Sequence, residues 1–502
     1  MTSRWRLALW ACCLAWAAGV QAQPAPWADW ALQQRAAGRA ELAVWLHKQA
    51  LLTLPADDPA AAEGNARLAG WLAEDGRWAE AQQLQARAQA AALAAFVGDA
   101  GHPAAAMAAL PFDTTESMWA AAWPPEVHTL EAAVPVFETL LALPRPRRVP
   151  LPSPSRAAPG ELHLHAIASA QGLALMMDGG AAVRVQRLAW PESERERELG
   201  QVALALGQPR RATARASLLP ALQALYRRLG EPLDTAARAA GATEIVLHVQ
   251  GSLRELPFAA LHDGRAFLGE RYAFRLAGLG AAPPAATRGP ARLRALGVSR
   301  AQAGQPALPG VADELCAIVA GPVHGRFERP PRCGAATGAV DGEAWLDDAF
   351  TPQSLVDAVA AGAASGRALL HLGTHFDLRP GRMERSSVLL GDGTRWPLSR
   401  IVALDFSGHA LVALAACDTG SSGAASADSL QTLILHRGAQ AVLASLWRVD
   451  DASTSLLMQT FYRHFTTLGP VLALQRAQQA VRERPEWQAP FHWAGFVLAS
   501  RS

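Results

Sequence analysis

Two residues that act together in nucleophilic catalysis follow two apolar segments of the chain. His375 ends the segment ALLHLGTH, and Cys417 follows the segment LVALAA. A thiolate attacks carbonyl carbon well, and an imidazole can take the thiol proton and then protonate a departing amine. Apolar runs of this length are typical of buried strands. On neighbouring parallel strands, both side chains would meet in the crevice beyond the carboxyl edge of the sheet. The pattern predicts a catalytic His375–Cys417 dyad.

Amide hydrolysis also needs donors for the oxyanion, and backbone N–H groups can supply them. The N–H groups of Phe376 and Cys417, just beyond the histidine strand and at the nucleophile, are the predicted donors. A backbone donor works with any side chain, so phenylalanine at position 376 is compatible with this role. No third catalytic residue stands out in the sequence.

A metal site is not expected at the histidines. His371 and His375 have the spacing of two zinc ligands on a helix, but on a strand residues four apart are far from each other along its axis. No cluster of cysteines and histidines supports them. The sequence therefore predicts neither a metal nor an organic cofactor.

From Gly160 onward, strand patterns alternate with helix patterns. The strand patterns include ELHLHAIAS, GLALMMDGGAAVRVQRLAW, TEIVLHVQG, LRALGVS, the segments that end at His375, Cys417 and Trp447, and the final HWAGFVLAS. This alternation predicts an α/β fold with a mostly parallel sheet and helices on both faces. We expect this domain to cover residues 161–502.

A small all-α region is predicted before the sheet, over residues 24–143. Within it, Ala69, Leu72, Gly76, Trp78, Ala81 and Ala88 have the spacing of a tetratricopeptide helical pair, and a plain helical bundle is the alternative. Residues 144–160 are rich in proline and arginine, which indicates an extended linker between the domains.

The first 22 residues have the pattern of a signal peptide, with Arg4 and Arg6 before an apolar stretch and small residues near Ala22. We therefore expect export to the periplasm or beyond, and no stable membrane span after cleavage. An uncleaved N-terminal anchor is the alternative. Many alanines and arginines with few lysines are typical of a GC-rich bacterial genome. A net charge of +2, with 18 % charged residues, argues against a nucleic-acid surface.

Export leaves three cysteines in the chain, namely Cys316, Cys333 and Cys417. In an oxidising compartment, Cys316 and Cys333 could form a disulfide that leaves Cys417 as a thiol. The alternative is three free thiols, two of which only pack in the core.

A long ordered set of motifs resembles the CHAT family, caspase-like domains often found with tetratricopeptide repeats. The set comprises LRELPFAALHDGRAFLGERYA, LPGVADEL, HLGTHFDLRPG, SSVLLGDG, LVALAACDTG, GAQAVLASLWRVDDASTSLLMQTFYRHF and HWAGFVLAS. The resemblance implies a fold like those of caspases, gingipains and separase, with His375 and Cys417 as the dyad. Two positions depart from the commonest pattern: Phe376 replaces a glycine, and the acidic residue after the cysteine loop is displaced towards Asp428.

The resemblance to separase also implies a substrate pocket at Trp447, Asp450 and Asp451, where a carboxylate would bind a substrate arginine or lysine. Asp451 is interpreted as the cap of the following helix, which makes Asp450 the stronger pocket candidate. The predicted function is that of an exported cysteine endopeptidase acting on protein or peptide substrates, whose helical region recruits a protein partner. The alternative is a non-catalytic scaffold or interaction module on the same fold.

Overall fold

The computed structural model describes residues 26–55, 58–97, 110, 114–143, 157–207, 212–278, 291–326, 338–365, 367–379, 383–415 and 424–501. The predicted signal peptide at 1–22, most of the predicted linker, Cys333 and Cys417 lie outside these ranges.

The helices are distributed along the whole described chain. They are α1 (Trp27–Ala36), α2 (Ala40–Thr53), α3 (Pro59–Glu74), α4 (Trp78–Val97), α5 (Thr114–Ala122), α6 (Leu130–Ala142), α7 (Glu192–Gly207), α8 (Ala212–Leu225), α9 (Glu231–Ala240), α10 (Pro309–Ile318), α11 (Pro352–Ser365), α12 (Leu398–Val402), α13 (Ala424–His436), α14 (Asp451–Arg482) and α15 (Pro490–Trp493). A short π-helical stretch, Tyr226–Gly230, joins α8 to α9.

The strands begin after the helical region. They are β1 (Glu161–Ala168), β2 (Leu173–Asp178), β3 (Val183–Leu188), β4 (Glu244–His248), β5 (Ala273–Gly278), β6 (Arg292–Gly297), β7 (Val319–Ala320), β8 (Val323–His324), β9 (Val340–Leu346), β10 (Ala368–Gly373), β11 (Phe376–Asp377), β12 (Ser387–Leu389), β13 (Arg395–Pro397), β14 (His409–Leu414), β15 (Ala441–Ser445) and β16 (Phe496–Arg501).

Most strands form one mixed sheet in the order β3-β2-β1-β4-β5-β16-β15-β14-β10-β6-β9-β7, with β8 paired to β9. The β1–β2, β2–β3 and β15–β16 pairs are antiparallel, and the other neighbours in this sheet are parallel. The strands β11, β12 and β13 form a separate small antiparallel sheet. The predicted α/β fold with a mostly parallel sheet is confirmed.

The central strands are buried on both faces. Every residue of β10 and of β15 is buried, although successive side chains point to opposite faces of the sheet. This burial requires helices on both sides and explains why the sequence of these strands is continuously apolar instead of alternating.

The long helix α14 is interrupted at Gly469. This glycine has φ +76°, a left-handed conformation that few other residues adopt, and Pro470 follows it. Two helical pieces therefore meet at a kink.

The described chain divides into two compact units. One comprises residues up to 54 together with 110–151, and the other comprises residues 55–109 together with 152–502. The helical region predicted over 24–143 is therefore shared between the units, because α3 and α4 belong with the sheet.

The hairpin of α3 and α4 packs against β1. Gly76, with φ +77°, forms the turn between the two helices, as the predicted helical pair requires. Gly70 allows a close approach, because a Cβ added there would lie 2.8 Å from the carbonyl oxygen of Ala168. A helical pair is thus present, but a tetratricopeptide array stays a prediction.

The first unit has an aromatic core made from helices alone. Its rings lie with centroids 5.0–6.2 Å apart and belong to Trp27, Trp30, Trp45, Trp119, Trp123 and Phe137. Such contacts stabilise aromatic pairs beyond the burial of their surface. The predicted all-α region at the N-terminal side is confirmed.

In the part of the chain that the structure describes, no helix combines the length and the apolar character that crossing a membrane requires.

Candidate active site

His375 lies just beyond the carboxyl end of β10, which ends at Gly373. Thr374 and His375 are buried, at 0 % and 3 % exposure. The strand is central in the sheet and is paired with β6 on one side and β14 on the other. The histidine is therefore held by the most constrained part of the fold, as a catalytic base requires.

The strand before Cys417 is the direct parallel neighbour of β10. The register pairs Leu372 with Leu414, and the N–H of Ala415 donates to the carbonyl oxygen of Leu372 over 2.9 Å. His375 is three residues beyond Leu372, and Cys417 is three residues beyond Leu414. The predicted neighbouring of the two strands is thus present, although Cys417 itself lies outside the described residues.

A backbone carbonyl orients the imidazole. Nε2 of His375 lies 3.0 Å from the carbonyl oxygen of Pro306. Because a carbonyl oxygen only accepts, Nε2 must carry the proton and donate it. In the neutral ring this leaves Nδ1 as the basic nitrogen. The structure therefore supplies an orienting group for His375 that the sequence did not indicate.

Pro306 belongs to the segment 299–310, which Asp347 anchors. The Asp347 carboxylate accepts from the Ser299 N–H and the Ser299 hydroxyl, each over 2.7 Å. Asp347 is buried at the end of β9 and has φ +49°, a conformation uncommon outside glycine. The Leu308 N–H closes the segment onto the carbonyl oxygen of Ser299 over 3.0 Å. These bonds fix the carbonyl that faces His375.

The main chain around His375 is held by β12. The hydroxyl of Thr374 donates to the carbonyl oxygen of Leu389 over 2.5 Å, and the Leu389 N–H donates to the carbonyl oxygen of His375 over 2.9 Å. In this register Phe376 faces Val388 as a non-hydrogen-bonded pair. The Phe376 N–H therefore points away from β12, which is compatible with its predicted role as an oxyanion donor.

A buried polar cluster is centred on His371, four residues before His375 in the chain. Nε2 of His371 lies 2.7 Å from a carboxylate oxygen of Glu314, and the Tyr462 hydroxyl lies 3.3 Å from Nδ1. Burial raises the pKa of Glu314, and His371 lowers it in part. Burial, with Glu314 nearby, also raises the pKa of Tyr462. His371 is thus a core residue that joins β10 to α10 and α14.

The two acidic residues of the predicted pocket have distinct partners. Asp450 is the N-cap of α14, and its carboxylate accepts from the Ser453 N–H over 3.0 Å. Asp451 accepts from the Gly310 N–H over 2.7 Å. The interpretation of Asp451 as the cap is therefore wrong. The helix begins at Asp451, one residue earlier than that interpretation assumed, so the cap is Asp450.

Asp451 is a half-buried carboxylate next to the segment that orients His375. Burial raises its pKa, the Gly310 N–H lowers it, and the nearby Asp450 and Asp313 raise it further. Among the described residues, no lysine, arginine or histidine forms an ion pair with it. It is therefore a negative group suited to an incoming cation.

Trp447 belongs to the packing around this region. Its side chain is buried, and its indole N–H donates to the carbonyl oxygen of Phe491 over 3.1 Å. A Cβ added at Gly495 would lie 3.0 Å from the Trp447 ring. Trp447 therefore positions the chain after β15.

Cys316, in α10, is disulfide-bonded. It is the one cysteine among the described residues, so its partner lies outside them. The N–H of Ala339, six residues beyond Cys333, donates to the carbonyl oxygen of Ala317 over 3.1 Å. The chain after Cys333 thus returns beside Cys316, which is compatible with the predicted Cys316–Cys333 pair.

The solved structures that resemble this chain include two of gingipain proteinases. The complex of the Porphyromonas gingivalis RgpB pro- and mature domains has 12 % sequence identity and a TM-score of 0.33, over 62 % of this chain and 77 % of that one. The Arg-specific cysteine proteinase gingipain R has 11 % identity and a TM-score of 0.34, over 60 % of this chain and 69 % of that one. No curated protein matches the chain.

Comparison with family models gives a match to the CHAT domain. The match covers residues 219–501, which is more than half of the 502-residue chain and includes both His375 and Cys417. The resemblance drawn from the ordered motifs is thereby confirmed over residues 219–501, and the chain belongs to the CHAT domain family.

Proposed function

We propose that the protein is a cysteine endopeptidase that cleaves protein substrates through Cys417 and His375. The observation that carries this proposal is the parallel register of β10 and β14, in which Leu372 lies beside Leu414. Each proposed catalytic residue lies three positions beyond its member of this pair. Two neighbouring parallel strands in this register end at the same carboxyl edge of the sheet, where ligands bind.

The orientation of His375 supports a defined proton path. With Nε2–H donating to Pro306, Nδ1 accepts the proton of the Cys417 thiol as sulfur attacks the scissile carbonyl carbon. The oxyanion is bound by the backbone N–H groups of Phe376 and Cys417. The imidazolium then protonates the leaving nitrogen, the C–N bond breaks, and water hydrolyses the thioester with Nδ1 again as the base.

The same geometry supports a preference for a basic residue before the scissile bond. Asp451 binds Gly310, and Pro306, four residues earlier, binds His375. A five-residue segment spans at most about 14 Å between its end Cα atoms, so the carboxylate and the imidazole share one neighbourhood. We propose Asp451, more than Asp450, as the group that pairs with a substrate arginine or lysine.

We also propose that the chain is exported and that its N-terminal helical region recruits a protein partner. The signal-peptide pattern of residues 1–22 supports export, and a disulfide at Cys316 fits an oxidising compartment. The aromatic core of the first unit supports a separately packed helical region. Edman sequencing of protein recovered from the periplasm tests the export proposal, with a mature chain starting at Gln23 expected.

The function is tested with the tag-free mature chain and a fluorogenic peptide library under mild reduction. We expect turnover by the parent and a loss of at least about 10³-fold in Cys417→Ala and His375→Ala. His128→Ala is the matched control, because His128 is exposed and belongs to the first unit, which does not contain His375. Equal turnover in all four proteins, or none in the parent with any substrate, contradicts the proposal.

A non-catalytic scaffold is the second candidate function. The disulfide at Cys316 favours it, because surroundings that keep this bond oxidised also threaten an exposed catalytic thiolate. In a scaffold, Cys417 would react with alkylating reagents no faster than an ordinary thiol. The rate of alkylation therefore separates the two candidates.

A further inference from the structure

Three histidines meet on the β1–β4 strand pair, away from the proposed dyad. His163 and His165 lie on β1, and His248 is the last residue of β4. Each offers a ring nitrogen, and these nitrogens all lie within 4.8 Å of one another. Nε2 of His248 lies 3.1 Å from Nδ1 of His163. Such a cluster is a candidate metal site in its own right.

The strand register explains why the three rings meet. In the parallel β1–β4 pair, His165 lies opposite His248, and His163 lies opposite Val246 two residues earlier. Side chains two residues apart on a strand share one face. All three imidazoles therefore project from the same face, opposite to Leu162 and Leu164, which belong to the main core.

One of the rings is already oriented as the ring of a metal ligand would be. Nε2 of His163 lies 3.2 Å from a carboxylate oxygen of Glu161, while its Nδ1 faces His248. Metal-binding histidines commonly give their second nitrogen to a carboxylate, which fixes the tautomer and makes the ligating nitrogen more basic. Arg275 holds the other oxygen of Glu161 over 3.2 Å. Although burial raises the pKa of this carboxyl, His163 and Arg275 lower it below its usual value.

The second ring has no polar partner among the described residues. His165 is 4 % exposed and stacks on His248 with ring centroids 3.9 Å apart, but no described group forms a hydrogen bond with its nitrogens. In a neutral imidazole one ring nitrogen carries a lone pair, which can bind a metal ion. A bound ion would supply the missing partner.

We propose that His163, His165 and His248 bind one divalent transition-metal ion, with zinc as the preferred ion and Glu161 as the outer carboxylate. An all-imidazole ligand set suits zinc, copper and nickel and does not suit magnesium or calcium. Nitrogen ligands of tetrahedral zinc lie about 3.3 Å apart, so the 3.1 Å pair is already at ligand spacing. The other pairs of ring nitrogens lie within 4.8 Å of one another and must come closer to bind the same ion.

The position of the site indicates a structural role. Four strands, β5, β16, β15 and β14, separate β4 from β10 in the sheet. At about 4.8 Å for each of five strand spacings, the ion lies roughly 24 Å from the strand of His375. The ion therefore joins β1 to β4 and acts on the stability of this half of the sheet.

The test uses tag-free full-length mature protein, stripped with a chelator and titrated with zinc chloride by calorimetry. We expect one equivalent of zinc to bind and a Tm at least about 3 °C higher when zinc is in large excess over Kd. Cobalt chloride serves as a spectroscopic probe, since three nitrogen ligands and water around Co²⁺ give visible absorption. Glu161→Gln should weaken binding about 10- to 100-fold.

His248→Gln is the main variant because His248 is only partly buried and its loss should leave the fold intact, as checked by circular dichroism in chelator. It should lower zinc affinity at least 100-fold, whereas His324→Gln, an exposed histidine, should leave it unchanged. Zinc bound equally by parent and His248→Gln, or no zinc retained by the parent, overturns the proposal. In that case the cluster is only a hydrogen-bonded packing feature.

Discussion

The imidazole of His375 is oriented by the carbonyl oxygen of Pro306, 3.0 Å from Nε2 and 69 residues earlier in the chain. Because Nε2 donates this hydrogen bond, Nε2 carries the proton of the neutral ring. Nδ1 is then the nitrogen that can act as a base. The carbonyl is held in turn because Asp347 binds both the N–H and the hydroxyl of Ser299. Orientation of the proposed base thus depends on a carboxylate at the end of another strand.

We expect Asp347→Ala to lower kcat about tenfold or more with a small effect on KM, because the segment bearing Pro306 loses its anchor. Loss of two buried hydrogen bonds should also reduce the free energy of unfolding by about 2–3 kcal/mol. Steady-state kinetics and urea unfolding measure both effects. Asp348→Ala is the matched control, since that side chain is exposed. Parallel behaviour of the two variants contradicts the anchoring role.

Asp450 and Asp451, at the start of α14, should have different roles, the first in stability and the second in specificity. Asp451→Asn should lower kcat/KM for substrates with arginine before the scissile bond about 10- to 100-fold and leave uncharged substrates unaffected. Asp450→Ala removes an N-cap bond, so it should cost about 1 kcal/mol of stability with little change in specificity. Peptide kinetics and thermal unfolding distinguish them. Asp357→Asn, an exposed position, is the control for Asp451, and loss of arginine preference in Asp450→Ala alone would reverse the assignment.

The disulfide of Cys316 should join it to Cys333. Non-reducing digestion and mass spectrometry should show a peptide that contains both residues, and iodoacetamide should label Cys417 alone in the unreduced protein. The basis is the return of the chain after Cys333 to Ala317. A peptide linking Cys316 to Cys417 would remove the proposed nucleophile and contradict both this prediction and the peptidase proposal.

His409, at the start of β14, should lower the free energy of unfolding as the pH decreases. Burial lowers the pKa of His409 to about 4, although the Phe406 backbone and Asp405 raise it in part. Between pH 6.5 and about 4 the unfolded chain binds a proton at this histidine that the folded chain does not bind. The free energy of unfolding is therefore unaffected by this group above pH 6.5 and decreases as the pH falls from 6.5 to about 4. The loss attributable to this group is about 3 kcal/mol.

Urea unfolding at several pH values measures this effect. His409→Gln cannot titrate, so its free energy of unfolding should depend less steeply on pH than that of the parent over this range. His324→Gln, which removes an exposed histidine, should keep the parent slope. An unchanged slope in His409→Gln shows that burial of this ring does not govern acid stability.

The fold was largely predictable because its central strands are recognisable from their apolar sequence alone. The continuous apolar runs before His375 and Cys417 indicated central strands, and their neighbouring in the sheet followed from the ligand crevice that such sheets share. The division of the helical region was not predictable. Whether α3 and α4 pack on β1 depends on close contacts such as that at Gly70, which periodicity does not reveal.

The sequence predicted side chains for the candidate site but not the backbone group that orients His375. Pro306 acts through a backbone carbonyl, and residue type says nothing about where a carbonyl points. The cap of α14 was assigned to Asp451 instead of Asp450 because the sequence locates the start of a helix only within a residue or two. The histidine cluster was missed although His163 and His165 alternate on a strand pattern; His248 joins them only through the pairing of β1 with β4.

The most direct measurement of the central claim is the alkylation rate of Cys417 as a function of pH, in parent and in His375→Gln. A thiol next to an imidazole forms thiolate at lower pH than an isolated thiol. We predict that the parent reacts at least about tenfold faster than His375→Gln near pH 6, and that the two rates converge above pH 9. Identical profiles in the two proteins would show that Cys417 and His375 do not share a site.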